Sequence, residues 1–145
     1  MKSVLFVCHG NICRSTMAEY IFKYITDNKI LVESRATSTD EIGNDIYPNT
    51  KEQLELHGIP FDRHYASRSN KEDYDNADYI FYMDNENYYS LIRMFGEHSD
   101  KIIPIYKYSN NINEIEDPWY TGRYTYVYKQ IYQCIIDILN NINKE

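Results

Sequence analysis

Short apolar runs that suit β-strands alternate along this chain with segments whose apolar residues recur at helical spacing. The predicted strands cover residues 3–7, 31–36, 79–83 and 102–106. Strands that alternate with helices in this way form parallel sheets with helices on both faces. The sequence therefore predicts an α/β fold, with a four-stranded parallel sheet in a single domain over residues 1–145. The second strand is the most polar and is expected near an edge of the sheet.

The segments between the predicted strands carry helix signals. Two pairs of residues have the spacing of a capping box, which marks a helix start. They are Thr16 with Glu19 and Ser69 with Glu72. Further helices are predicted at residues 48–57, from Asp84 or Asn85 to near Gly96, and in the C-terminal segment. The C-terminal helix has the clearest apolar stripe, formed by Val127, Ile131, Ile135, Ile138 and Ile142.

Directly after the first predicted strand, Cys8 and Arg14 stand at the two ends of one short loop that leads into a helix. Such a loop points several backbone N–H groups at one place, and the helix N-terminus adds partial positive charge. Arginine can bind two oxygens of an anion in a planar fork. The spacing therefore predicts a phosphate-binding loop in which Cys8 can attack phosphorus. The predicted phosphate-binding residues are His9, Gly10, Asn11, Ile12, Cys13, Arg14 and Ser15.

The chemistry of this loop depends on the state of Cys8. Cysteine is nucleophilic as the thiolate, which a helix N-terminus and a nearby arginine favour. Ser15 can add a hydroxyl hydrogen bond to the sulfur. Gly10 lets the backbone pass close to an anion or adopt positive φ, and Asn11 also tolerates the left-handed region. The alternative is a buried Cys8 that ends a core strand, with Arg14 as a solvated helix residue.

Cleavage of a phosphate ester also needs an acid for the leaving oxygen. Asp117 is the best candidate, because Pro118 stiffens its loop and restricts Asp117 to extended geometry. Trp119 and Tyr120 could form a wall for an aromatic leaving group. The alternative is an acidic surface turn with packed aromatic residues.

Composition limits the remaining possibilities. The net charge of −7 argues against a nucleic-acid partner. No apolar run approaches membrane-spanning length, and the N-terminus lacks the pattern of a signal peptide. Three cysteines without C-x-x-C or metal-ligand spacing suggest neither a disulfide framework nor a metal site. We therefore expect a cytoplasmic protein that works without a membrane or a metal.

These residues resemble the low-molecular-weight protein tyrosine phosphatases. The strongest matches are residues 7–15, Ala18 with Glu19, and residues 117–120. Weaker matches lie between them, at Ser34, residues 36–38, 41–44, 57–59, 71–73 and 79–84. The resemblance thus covers nearly the whole chain in order.

The resemblance implies a role for each matched residue. Cys8 would form a phosphocysteine intermediate, Arg14 would bind the phosphoryl oxygens, and Asp117 would protonate the leaving oxygen and then activate water. Support of the loop would come from Ser15, Asn11, Ser34 and His64. Cys13 could form a reversible disulfide with Cys8 under oxidation. The implied substrates are phosphotyrosine-containing proteins, the chain would be a monomer or weak homodimer, and no cofactor or metal is expected.

The same resemblance implies a slot for the tyrosine ring. Its expected lining is His9, Ile12, Asp40, Glu41, Trp119 and Tyr120. Several positions depart from the family pattern: Thr16 replaces a common proline, and His9, Asp40 and Trp119 replace an apolar residue, an aromatic residue and a tyrosine. The rim of the slot is therefore expected to be more polar on one side and bulkier on the other.

Two other functions are considered for this loop. Arsenate reductases share the fold and the loop but relay oxidation through further cysteines, which residues 82–96 do not contain. Cys134 falls in the apolar stripe of the last helix, where a core position is expected. A non-catalytic phosphotyrosine-binding module would keep Arg14 and lose Cys8 or Asp117, whereas both are present.

Overall fold

The computed structural model of the chain describes residues 3–96 and 99–142. Its sheet consists of the parallel strands β1 (Ser3–Cys8), β2 (Leu31–Ala36), β3 (Tyr79–Tyr82) and β4 (Ile102–Pro104). The helices are α1 (Arg14–Thr26), α2 (Pro48–Leu56), α3 (Lys71–Asn76), α4 (Asn85–Phe95), α5 (Pro118–Thr121) and α6 (Tyr124–Ile142). This arrangement confirms the predicted four-stranded α/β fold. Of the predicted domain over residues 1–145, residues 1–2, 97–98 and 143–145 lie outside the described part.

The strand order β2-β1-β3-β4 places β1 inside the sheet and the polar β2 at an edge, as predicted. In the pairing register, Cys8 lies beside Ala36 of β2, and Val7 lies beside Tyr82 of β3. The chain leaves β1 toward β2 on one side and later returns to β3 on the other side. Ligands of open parallel sheets bind where the connections diverge in this way, at the carboxyl ends of the strands. Cys8, the last residue of β1, lies at that point.

Both faces of the sheet are covered, because alternate residues of β1 point to opposite sides. Val4 and Phe6 are buried against α1 and α6, while Leu5 and Val7 are buried with Leu91 of α4. The predicted apolar stripe of α6 is fully buried, and so is Cys134 within it. Among the helices of residues 3–96 and 99–142, none combines the length and apolar character needed to cross a membrane.

Both predicted capping boxes are wrong. Helix α1 begins at Arg14, so Thr16 and Glu19 lie inside it, and the Thr16 hydroxyl donates to the Cys13 carbonyl instead. The capping box of α3 is formed one residue later than predicted, by Asn70 and Asp73. Ser69 and Glu72 cannot form it because the backbone of Ser69 is still paired with Ala36, beside the end of β2.

Two further differences concern the ends of the sheet. Strand β4 stops at Pro104, two residues before the predicted end, because the chain turns there and Lys107 N–H donates to the Pro104 carbonyl. Residues 118–121 form the short helix α5, which the sequence did not indicate. Its start lies at the same edge of the sheet as Cys8.

Candidate active site

The loop between β1 and α1 is held from both sides by backbone hydrogen bonds. Thr37 N–H donates to the Cys8 carbonyl, and Tyr47 N–H donates to the Ile12 carbonyl, each at 2.9 Å. Asn11 adopts φ of 61°, the left-handed region that asparagine tolerates. At Gly10, a Cβ atom would lie 3.3 Å from Glu41 Cγ, so a larger residue would have to displace that side chain slightly. The loop is thus a fixed structure before any ligand binds.

The sulfur of Cys8 accepts hydrogen bonds inside this loop. The backbone N–H groups of Asn11 and Ser15 lie 3.3 and 3.4 Å from it, and Ser15 Oγ lies 3.1 Å away. Ser15 Oγ also accepts a hydrogen bond from the Asn11 side-chain amide at 2.8 Å, which leaves its own proton free to donate to the sulfur. The N-terminus of α1, which carries partial positive charge, lies beside the sulfur.

Asn11 is the centre of the buried network that supports the loop. Its amide nitrogen also donates to Ser34 Oγ at 2.9 Å, and Ser34 donates to Glu19 at 2.5 Å. Its carbonyl oxygen accepts from Ser67 N–H at 3.2 Å and lies 3.0 Å from His64 Nε2, which also bonds the Asn11 backbone carbonyl. Burial lowers the pKa of His64, so the ring is neutral and Nε2 donates. The structure therefore brings both predicted support residues, Ser34 and His64, to Asn11.

Arg14 is almost fully buried, with 2% of its side chain exposed. Its Nη1 donates to Asp84 at 2.6 Å and to the Ile115 carbonyl at 2.8 Å, while Nη2 lies 3.6 Å from Asp117. Burial alone would lower the pKa of Arg14, but negative charge at Cys8, Asp84 and Asp117 raises it above its ordinary value. The guanidinium is therefore a permanent cation, and its hydrogen bonds to Asp84 and to the Ile115 carbonyl fix its position.

Asp117 has the extended backbone that its following proline predicts, with φ of −82° and ψ of 111°. One carboxylate oxygen accepts from Trp119 N–H at 3.0 Å and caps α5, whose other end is closed by Gly122 at φ of 73°. The other carboxylate oxygen is the one nearest Arg14. The acid and the aromatic residues that follow it are consequently carried on one short, capped turn.

A cavity of about 130 Å³ opens above the loop. All six predicted slot residues line it, together with Cys8, Arg14 and Asp117. On one side, His9 Nε2 lies 2.7 Å from Asp40 at the exposed rim, and Glu41 bonds Asn44. The other side carries Trp119 and Tyr120. The rim thus has the polar side and the bulky aromatic side that the sequence predicted.

Three residues contribute to this site although the sequence did not place them there. Asp84 binds Arg14, Glu19 receives the Ser34 hydroxyl, and Tyr47 packs against Trp119. Asp84 had a readable signal, because it follows a buried strand at the same carboxyl edge as Cys8. Glu19 belongs to one of the strongest family matches, whereas Tyr47 had no signal, since its contact with Trp119 is made only by tertiary packing.

Cys13 belongs to the loop, lines the cavity and is 5% exposed. Burial, reinforced by the neighbouring Cys8, raises the pKa of its thiol to about 12. It is a free thiol, and the disulfide with Cys8 stays a prediction. Within residues 3–96 and 99–142, no group of three or more His, Cys, Asp or Glu side chains is placed to hold a metal ion.

Comparisons with known proteins show which proteins the chain is similar to. A sequence model described as low molecular weight phosphotyrosine protein phosphatase matches residues 3–145. The chain is 38% identical to low molecular weight protein-tyrosine-phosphatase YfkJ of Bacillus subtilis, over all of this chain and 98% of that one. It is 40% identical to the human low molecular weight phosphotyrosine protein phosphatase, over 92% of this chain and 90% of that one.

Solved structures give the same result. The crystal structure of YfkJ superposes with a TM-score of 0.94, covering 99% of this chain and 96% of that one. SP-PTP, the low molecular weight protein tyrosine phosphatase of Streptococcus pyogenes, has a TM-score of 0.90 at 34% identity, covering 98% of this chain and 93% of that one.

Proposed function

The chain belongs to the low molecular weight phosphotyrosine protein phosphatase family, and from that membership we propose that it hydrolyses phosphotyrosine through a phosphocysteine on Cys8. It is a protein tyrosine phosphatase. The observation that carries the proposed mechanism is the sulfur of Cys8, which accepts from donors on Asn11 and Ser15 in the cavity that Arg14 and Asp117 line. Nucleophile, cation and acid therefore face one phosphate-sized space.

In the first step, the Cys8 thiolate attacks phosphorus and the bond from phosphorus to the tyrosine oxygen breaks. Asp117, in its protonated form, gives its proton to that leaving oxygen. The Nε and Nη2 edge of Arg14 binds phosphoryl oxygens, because Nη1 is already bonded to Asp84. The products are free tyrosine hydroxyl and an S-phosphoryl Cys8.

In the second step, water attacks the phosphoryl group and the sulfur–phosphorus bond breaks. The Asp117 carboxylate takes the proton from water, which restores its acid form for the next cycle. The Cys8 thiolate leaves into the same hydrogen bonds that favoured it at the start. Inorganic phosphate is released, and the atoms and charges balance over the two displacements.

The other functions are less well supported. The relay cysteines of an arsenate reductase are missing, because residues 82–96 contain no cysteine and Cys134 is fully buried in α6. A binding module without catalysis would not need both Cys8 and Asp117 at the cavity.

The remaining parts of the proposal concern the setting of the enzyme. Its substrates are phosphotyrosine-containing proteins, and neither nucleic acid nor membrane is a partner of an acidic chain with this slot. We place it in the reducing cytoplasm. There Cys8 stays reduced, and a disulfide with Cys13 would form only under oxidation. Residues 1–145 act as one domain, in a monomer or weak homodimer.

Turnover of p-nitrophenyl phosphate and phosphotyrosine by purified, reduced protein tests the proposal. Cys8→Ser should have no measurable turnover, whereas Cys134→Ala, a buried thiol away from the site, should remain active. Asp117→Asn should lower kcat on phosphotyrosine by roughly 10²–10⁴, and less on p-nitrophenyl phosphate, whose leaving group needs less protonation. Folded wild-type protein without turnover, or an active Cys8→Ser variant, would contradict the mechanism.

A further inference from the structure

Three aromatic rings run from the slot toward the phosphate loop. Trp119 at the cavity meets the ring of Tyr47 edge-on, with centroids 4.9 Å apart and an interplanar angle of 66°. Tyr47 stacks on Tyr124 at 6.0 Å and 14°. Tyr124 is buried in one cluster with Ile12 and Cys13 of the phosphate loop. These contacts form a continuous path from the aromatic wall to the loop.

The middle ring is anchored to the phosphate loop through its backbone. Tyr47 N–H donates to the Ile12 carbonyl at 2.9 Å, so the residue is fixed directly to the phosphate loop. Tyr47 also occupies the N-cap position of α2, where Pro48 follows at the first turn. The backbone of Tyr47 is thus fixed both by the start of α2 and by the contact with the loop. Its side chain therefore projects from a fixed point.

Trp119, in contrast, needs external support. It lies on the four-residue helix α5, and 51% of its surface is exposed. A single helical turn has little stability of its own. Among residues 3–96 and 99–142, Tyr47 provides the ring contact that connects Trp119 to the rest of the molecule.

We propose that Tyr47 is a positioning residue for the aryl group of the substrate. It sets the distance and angle of Trp119 relative to the phosphate loop, so that one phosphate and one aromatic ring fit at the same time. This inference rests on the proposed phosphatase function, because it concerns the same slot. Tyr47 itself does not line the cavity and acts through Trp119.

A double-mutant cycle tests this role. Tyr47→Leu should lower kcat/KM for phenyl phosphate about three- to tenfold, the range expected for one aromatic pair. The inhibition constant of inorganic phosphate, which contacts the loop and not the wall, should stay unchanged. In a Trp119→Leu background, Tyr47→Leu should have no further effect, because its partner is already gone. Tyr89→Leu, an exposed ring on α4, is the matched control and should behave as wild type.

Fluorescence gives a second readout, since Trp119 is the only tryptophan of the chain. Tyr47→Leu should shift its emission to longer wavelength and increase its quenching by acrylamide, while Tyr89→Leu should not. Additive effects in the double mutant, or an equal loss of phosphate affinity, would overturn the proposal and show that Tyr47 only supports the fold. An unchanged Tyr47→Leu enzyme would also overturn it, whereas an inactive but folded wild type would instead contradict the phosphatase function.

Discussion

The buried polar residues around Asn11 help the phosphate loop to keep its shape. The Asn11 side-chain amide donates to Ser15 and Ser34, and the Ser34 hydroxyl donates to Glu19. Lys23 Nζ lies 2.5 Å from Glu19 Oε2 and balances the charge of that carboxylate. A buried donor or acceptor that loses its partner costs more than an average hydrogen bond contributes. Each member of this network is therefore expected to be sensitive to substitution.

Ser34→Ala tests that expectation. It leaves one Asn11 donor and one Glu19 oxygen without the hydroxyl that joins them, so the free energy of unfolding should fall by about 1–3 kcal/mol. Ser90→Ala, which removes an exposed hydrogen bond from Arg93, is the control and should change it by less than about 0.5 kcal/mol. Urea denaturation measures both, and equal effects would show that the network does not stabilise the loop.

His64 should make stability depend on pH. Burial lowers its pKa in the folded state below the ordinary 6.5, so the unfolded chain binds a proton first as the pH falls. The stabilisation is complete above about pH 6.5 and is lost progressively below it. His64→Gln keeps an N–H donor without titrating. The stability advantage of wild type over this variant should therefore shrink between about pH 7.5 and about pH 5.5, and a constant difference would be inconsistent with a neutral, buried His64.

Some of these residues could be read from the sequence and others could not. Cys8, Arg14 and Asn11 lie in one short segment, so local spacing brings them together. Asp117 is distant in sequence, and its predicted place followed from the resemblance and from Pro118. Tyr47 gave no local sign of its contact with Trp119, because that contact depends on how α2 packs beside α5.

At the scale of elements, Asp84 joins the phosphate loop to α4. One of its oxygens caps α4 through Asn87 N–H at 2.9 Å, and the other binds Arg14. Asp84→Asn keeps a good N-cap and removes only the charge. Loss of one partner of a buried ion pair lowers the free energy of unfolding by roughly 3–5 kcal/mol. The decrease for Asp84→Asn should lie near the low end of this range, since Asp84 is 19% exposed and Asp117 also lies near Arg14.

The control for Asp84→Asn is Asp75→Asn, whose pair with Lys71 is exposed and should contribute well under about 1 kcal/mol. Circular dichroism should show unchanged helix content in both variants. Thermal or denaturant unfolding then separates them, and equal stability of the two variants would exclude a structural role for the Asp84–Arg14 pair.

Most elements were predictable, but some of their bounds and the short helix α5 were not. Strand β1 is a continuous apolar run and helix α6 has a long apolar stripe, and both are present where the sequence predicts them. Either Ser69 or Asn70 could have capped α3. Asn70 does so because the backbone of Ser69 is hydrogen-bonded to Ala36, the last residue of β2. Helix α5 has too few residues for any periodicity and forms because Asp117 caps it.

For the whole molecule, the core under the sheet supports the site without taking part in it. Ile131 of α6 is fully buried in the cluster that contains Val4 and Phe6 of β1. Ile131→Ala should lower the free energy of unfolding by about 2–5 kcal/mol, while kcat/KM of the folded enzyme stays near the wild-type value. Leu56→Ala, at a position 69% exposed, should change neither quantity. A selective loss of kcat/KM in stable Ile131→Ala protein would contradict this separation.

Phosphorylation of Cys8 during turnover is the step on which the proposed mechanism depends. Wild-type protein mixed with p-nitrophenyl phosphate, quenched in acid within one turnover and digested, can be mapped by mass spectrometry. We expect one added phosphoryl group on the peptide that contains Cys8, and none on that peptide in Cys8→Ser. A phosphoryl group on any other residue, or turnover without a phosphorylated Cys8, would contradict it.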